Sequence, residues 1–197
     1  MWLSVVRAPA PRPGLLTRTE RAEVERLRYR GRRRDEWIAG RLAARRVLAR
    51  RLGAGVRDVS VVADPAGAPR VTGGPAPLAI SLSHDGGRVA VALAPGRGRV
   101  AVDVCDRAHA DRLPAILARL GVADAHVDAC AVWAALECAL KLRGLGVTAL
   151  LGAPLAIAAT GAATGSDRLR VSGLGAAAVC QVASRRNYAL AWAEEAA

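Results

Sequence analysis

The stretches "GGRVAVALA" at 86–94 and "RRNYALAWA" at 185–193 share length, apolar character and position within their halves of the chain. A strand pattern that recurs once at this separation predicts two related lobes of about a hundred residues each. The linker-like "APGRGR" at 94–99 marks the midpoint, and the lobes are bounded at 1–97 and 98–197. The fold class read from this is α+β with two similar halves.

The elements follow from periodicity and turn residues. "WLSVV" reads as an opening strand closed by the proline-rich "APAPRPG", followed by a charged helix, "TERAEVERLRYR". A second helix is predicted from about Asp35 to Leu52. "DPAGAP" and "TGGPAP" bracket short strands, and "LAISLS" and "RVAVALA" are better ones that flank a tight turn at "HDGG". The second half opens with the strand "RVAVDV" and continues through helices near 108–120 and 126–143. "RLRVSG", "AVCQVA" and "YALAWA" then form a strand meander.

Composition narrows the classes. Hydrophobic residues make up 52% of the chain, with no Phe, so the core must be built from small side chains. Lys141 is the only lysine against 28 arginines, which makes position more informative than number for positive charge. A net charge of +12 attracts anions: nucleic acid, phosphorylated cofactors or an acidic protein. Aromatic residues are only 3%, so stacking on single-stranded nucleic acid has little to work with, and nucleic acid is not expected as a partner. The four cysteines, Cys105, Cys130, Cys138 and Cys180, show no C-x-x-C spacing and read as reduced cytoplasmic thiols. A zinc site from these and His84, His109 and His126 lacks the usual ligand spacings. No segment approaches the ~20 apolar residues that span a bilayer, and no leader is recognised, so neither a membrane nor secretion is expected.

Three places carry candidate chemistry. On the helix over 35–52, Ile38, Leu42, Ala49 and Leu52 form an apolar stripe with Arg45 in its middle. A guanidinium there faces an interface or a fixed anion, or else it snorkels or pairs with an internal carboxylate. In "RVAVDVCD", alternation sets Ala101, Asp103 and Cys105 on one strand face, and an aspartate amid apolar residues is either a structural acceptor or a ligand for a hard cation. In "VWAALECALKLRG", Glu137 and Lys141 edge the stripe of Trp133, Leu136 and Leu140; they are a helix-stabilising pair or, for a lone ammonium, a phosphate contact. His84, after "SLS" and before two glycines, can donate to a phosphate or cap the turn.

The order "AGRLAARRVL", "GAP", "SLSH", "VDV", then W-x-x-x-E-x-x-x-K-x-x-G-x-G resembles the 4′-phosphopantetheinyl transferases. More narrowly it resembles their single-chain type with two pseudo-repeated lobes, the surfactin-synthetase-activating kind. The resemblance implies a pseudo-twofold monomer with the ligand cleft between the lobes. It implies Mg²⁺-dependent transfer of the phosphopantetheine arm of coenzyme A to a serine of an acyl or peptidyl carrier protein, as in polyketide or nonribosomal peptide synthesis, releasing adenosine 3′,5′-bisphosphate. Carried over by residue, Arg45 and His84 would hold the 3′-phosphate side with Ser83 nearby, and Gly67 and Arg70 would flank the nucleotide. Asp103 and Glu137 would bind Mg²⁺, Lys141 would contact the pyrophosphate, and Glu137 would help deprotonate the serine.

The chain departs from the family pattern at four places. Cys105 stands where a second acidic residue is usual, Ala68 replaces the lysine of "GKP", and Leu136 replaces the lysine before the helix glutamate. The stretch between Asp103 and Trp133 is short and poor in aromatics. These substitutions keep open an alternative, a member of the same fold that binds coenzyme A or a protein without full activity.

Overall fold

A computed structural model describes residues 1–53, 59–74, 76–122, 128–163 and 166–195. His126, one of the three histidines considered for zinc, and the predicted helix start at 126 lie outside the described residues. The contacts divide the chain into two compact units, Met1–Arg99 and Val100–Glu195. Both mix helix with antiparallel strand pairing, an α+β composition.

The first unit runs β1 (Trp2–Arg7), α1 (Arg18–Arg26), α2 (Gly31–Leu52), β2 (Ser60–Ala63), β3 (Pro69–Thr72), β4 (Leu78–Asp85) and β5 (Arg88–Pro95). One sheet has the order β1-β5-β4, antiparallel throughout, and β2 pairs with β3 alone. Strand β4 extends further than the sequence indicates. His84 pairs with Val89 and Asp85 with Arg88, leaving only Gly86 and Gly87 in the turn. Their φ values of 53° and 71° are those a two-residue hairpin turn demands and only glycine adopts freely. His84 is therefore a strand residue and not the first residue of the turn.

The charged segment forms a shorter helix than its pattern predicts, and α2 a longer one. Thr17 caps α1 through a full capping box with Glu20. The helix ends because Arg28 adopts a left-handed φ of 52°, after which Arg30 is extended. Helix α2 then starts at Gly31, four residues before the predicted Asp35, with no side-chain cap at Arg30 to announce it. Its inner face, Ala43, Ala44, Val47 and Leu48, packs with Val61, Ile80, Val89, Val91 and Leu93.

Arg45 occupies the apolar stripe as expected, but its partner is internal. Its Nη1 donates to the Leu15 carbonyl at 2.6 Å and to Glu20 Oε2 at 3.2 Å. Glu20 is fully buried, and besides Arg45 it accepts from the backbone N–H of Thr17 at 2.9 Å and of Val61 at 3.0 Å. The implied role of Arg45 as a 3′-phosphate ligand is therefore corrected: at 3% exposure its guanidinium offers no face to a ligand. Glu23, one turn on, accepts from Ala63 N at 2.7 Å. Two glutamates of α1 thus cover the outward N–H groups of strand β2, as a neighbouring strand would.

The second unit runs β6 (Arg99–Asp106), α3 (Leu113–Arg119), α4 (Ala129–Arg143), β7 (Ala156–Ala163), β8 (Ser166–Ser172), β9 (Ala178–Ser184) and β10 (Tyr188–Glu195). These strands form one sheet of order β6-β10-β9-β8-β7. The alanine-rich β7 escapes sequence reading because alanine is a weak strand former. The predicted helix at 108–120 divides into a 3-10 turn at Arg107–His109 and α3. Helix α4 lies on the sheet, burying Ala131, Ala134, Ala135, Cys138 and Leu142 against Leu169, Val171, Cys180 and Ala191. Its N-cap, Asp128, accepts from Cys130 N and pairs through both oxygens with Arg107 at 2.5 Å. Among the described residues no helix is long and apolar enough to cross a membrane.

Replacing Glu20 by Ala leaves a buried guanidinium without its carboxylate and the Val61 N–H without its acceptor. Urea unfolding of this variant is expected to show a loss of about 3–5 kcal/mol, with the Arg45→Ala variant losing a similar amount.

Candidate active site

The alternation of β6 turns Ala101, Asp103 and Cys105 toward α4, where Ala101 and Cys105 join the apolar core. Asp103 sits between them at 3% exposure. Such a carboxylate needs partners, and α4 provides them. Lys141 Nζ donates to Asp103 Oδ1 at 2.6 Å and to the Val102 carbonyl at 3.1 Å. Glu137, one helical turn before Lys141, faces the same carboxylate, and the Trp133 side chain one turn earlier hydrogen-bonds it. Asp103, Glu137 and Lys141 are thus brought together from two elements.

The charges in this cluster do not balance. Burial, followed by the charge of Asp103, pushes the Glu137 pKa from 4.5 up to about 7, against the opposing pull of Lys141 and Trp133. For Lys141, burial works against the charged form, but the charge and hydrogen bond of Asp103, with Glu137, more than offset it and hold the pKa above the usual lysine value. One ammonium therefore serves two carboxylates, and burial with the charge of Asp103 makes the second ionise reluctantly.

This donor chemistry fits a hard dication in part. Carboxylate oxygens are what Mg²⁺ takes from a protein, and it commonly keeps several waters besides one or two of them. Among the described residues no group of three or more His, Cys, Asp or Glu is placed to hold a metal. Cys105 supplies no third ligand. Its thiol points to the Asp106 carbonyl at 3.8 Å, the same oxygen that Cys130 Sγ approaches at 3.8 Å, and the two thiols interact. Along β6, Asp103 meets the Glu137–Lys141 end of α4 and Cys105 meets its first turn.

The residues carried over in the first unit are spread over two sheets. Ser83 is buried within β4, paired with Ala90. Gly67 lies in the β2–β3 turn with a φ of 90°, its N–H on the Asp64 carbonyl, so a backbone requirement accounts for it. Arg70 is an exposed residue of β3, opposite Val62. His84 lines a cavity of about 500 Å³ with Ala8, Pro9, Arg32, Glu36, Asp85 and Arg88, among others. Its Nδ1 is 4.0 Å from Glu36 Oε2.

Sequence reading missed three participants. Trp133 belongs to the W-x-x-x-E-x-x-x-K pattern and to the apolar stripe, but its hydrogen bond to Glu137 is not read from either. The Arg107–Asp128 clamp joins positions 21 residues apart, and the Glu36–His84 approach joins a helix to a strand; neither has a local signature.

Residues 25–94 match the family model described as the 4′-phosphopantetheinyl transferase N-terminal domain. The match lies wholly within the first unit, from the end of α1 to β5. The match supports membership in the 4′-phosphopantetheinyl transferase superfamily. No curated protein matches it.

Because the Glu137 pKa is raised in the folded state, the fold binds this proton more tightly than the unfolded chain does. Its contribution to stability is fully present below about pH 4.5 and is lost as pH rises through about 7. Thermal melts in chelator are expected to show wild type losing stability between these values while Glu137→Gln does not. At pH 8, added Mg²⁺ should raise the wild-type midpoint and leave that of Glu137→Gln nearly unmoved.

Proposed function

We propose that this protein transfers the 4′-phosphopantetheine arm of coenzyme A to a serine hydroxyl of an acyl or peptidyl carrier protein. The observation that carries the reading is the convergence of Asp103, Glu137 and Lys141 at β6 and α4, in a chain whose first unit matches the family. In the reaction the serine oxygen bonds to the phosphorus that bears the pantetheine arm. The bond from that phosphorus to the oxygen of the departing adenosine 3′,5′-bisphosphate breaks.

The residues take distinct roles. Glu137, with a pKa near neutrality, is matched to accept the serine proton. The Lys141 ammonium, held at Asp103, stands against the charge that collects on the diphosphate as the bond breaks. Mg²⁺, with Asp103 and Glu137 as its carboxylate ligands, would supply further neutralisation of that charge. The net charge of +12 suits an acidic carrier and speeds its approach.

Cys105 and the two-carboxylate donor set favour one second reading, a coenzyme A-binding member of the superfamily that does not transfer. One experiment separates the two. The protein is mixed with apo carrier protein, coenzyme A and Mg²⁺, and the intact mass of the carrier is recorded. Addition of one phosphopantetheine is expected; coenzyme A binding without transfer to any of several carriers supports the second reading. Asp103→Ala and Glu137→Ala should abolish transfer, and Lys141→Ala should lower its rate by about a hundredfold. An unchanged rate in Glu137→Ala would remove the proposed base.

A further inference from the structure

Strand β7 lies at one edge of the second unit's sheet, and among the described residues its only strand partner is β8. An open edge presents a row of unpaired N–H and C=O groups, and soluble proteins blunt such edges with charges, proline, bulges or a covering element. β7 uses one of these devices. Its pairing with β8 is regular from Ala156 to Ala159 and shifts register before Ala162, where Gly161 has a φ of 119°. Ahead of that bulge the edge is plain: Ala156, Ala158 and Ala159 are exposed, and no charge or proline interrupts them.

The charge pattern says what such an edge can meet. From 144 to 166 the chain carries no charged residue, although its net charge is +12. Leu145, Val147 and Leu151 are exposed in the same stretch, Leu151 at 75%. A chain this basic repels its own copies over most of its surface. This stretch is where two copies meet without opposed charges. The nearest charges in the sheet, Asp167, Arg168 and Arg170, stand on β8. When two β7 strands pair with each other, the two β8 strands lie three strand spacings apart, roughly 14 Å. That exceeds the Debye length of about 8 Å at physiological salt, so Arg170 does not oppose its counterpart. A foreign peptide would be held by backbone alone, because alanine side chains form no pockets to select it. A second β7, running antiparallel, offers the same small side chains and the same uncharged length.

We propose that β7 is a homodimerisation edge. Two copies join antiparallel through Ala156–Ala159 about a twofold axis, and their sheets become continuous, in place of the monomer that the resemblance implies. The contact is isologous and uses up the β7 edge of both copies, so the assembly closes at two. The inference stands apart from the transferase reading.

Sedimentation equilibrium of the full chain over about 1–200 µM, with hydrogen exchange at both ends of this range, tests it. The mass is expected to rise from 20.4 kDa to twice that value. Exchange of the outward-facing amides among 156–159 should slow by about fivefold or more in the concentrated sample. Ala158→Lys, which sets a charge on the edge, should stay at 20.4 kDa throughout and keep the wild-type far-UV circular dichroism. A wild type that remains at 20.4 kDa at about 200 µM overturns the proposal. So does a dimer that persists in Ala158→Lys or leaves exchange at 156–159 unchanged. Full protection of these amides in the dilute monomer also overturns it, because the chain itself would then cover the strand. Species larger than a dimer remove the twofold closure. Should Ala158→Lys fail to fold, the wild-type exchange decides.

Discussion

The site depends on one contact, the 2.6 Å ion pair that joins Lys141 of α4 to Asp103 of β6. Two charges taken partly out of water attract strongly only when their geometry is good and their remaining valences are met. Lys141 meets this with a second bond to the Val102 carbonyl, so the ammonium is fixed to the strand at two points. That fixation brings Glu137, one turn away on the same helix, up against Asp103. Without the lysine the two carboxylates would repel and β6 and α4 would lose the tie that aligns them.

The first unit holds a second buried ion pair of opposite character. Glu20 and Arg45 are both almost wholly enclosed, and the carboxylate also accepts from two backbone N–H groups. That pair is closed: the Glu20 carboxylate and the Arg45 guanidinium answer each other within the fold, and their work is to fasten α1 to α2 and β2. The cluster at Asp103 is different, because burial and the charge of Asp103 together raise the pKa of its second carboxylate, Glu137. A carboxylate raised in this way marks a candidate place for a ligand that completes the electrostatics. The two pairs look alike in sequence, a charge in an apolar stripe in each case, yet one is enclosed within the scaffold and the other is the site of the proposed chemistry.

Local pattern made much of this legible. The alternation of "RVAVDVCD" set Asp103 on a definite strand face, and the four-residue spacing of Trp133, Glu137 and Lys141 set those three along one side of a helix. The glycine pair at 86–87 located the hairpin turn, since two successive left-handed residues admit little else. Boundaries were less legible. α2 begins without a cap, α1 ends at a left-handed arginine, and β7 is written in alanine, so each contradicts the usual local signal.

The sequence by itself determined which side chains share a face, because helical and strand periods are properties of the backbone and hold before any packing. It left open which faces meet. Arg45 was compatible with a bound anion or an internal carboxylate, and only the packing of α1 against α2 placed Glu20 beside it. Cys105 shares a strand face with Asp103, but a strand advances about 3.3 Å per residue. Two residues on, the thiol therefore meets a different turn of α4. Contacts between residues far apart in the chain have no period to be read from. They follow from how two surfaces settle together, and the tertiary structure alone decided them.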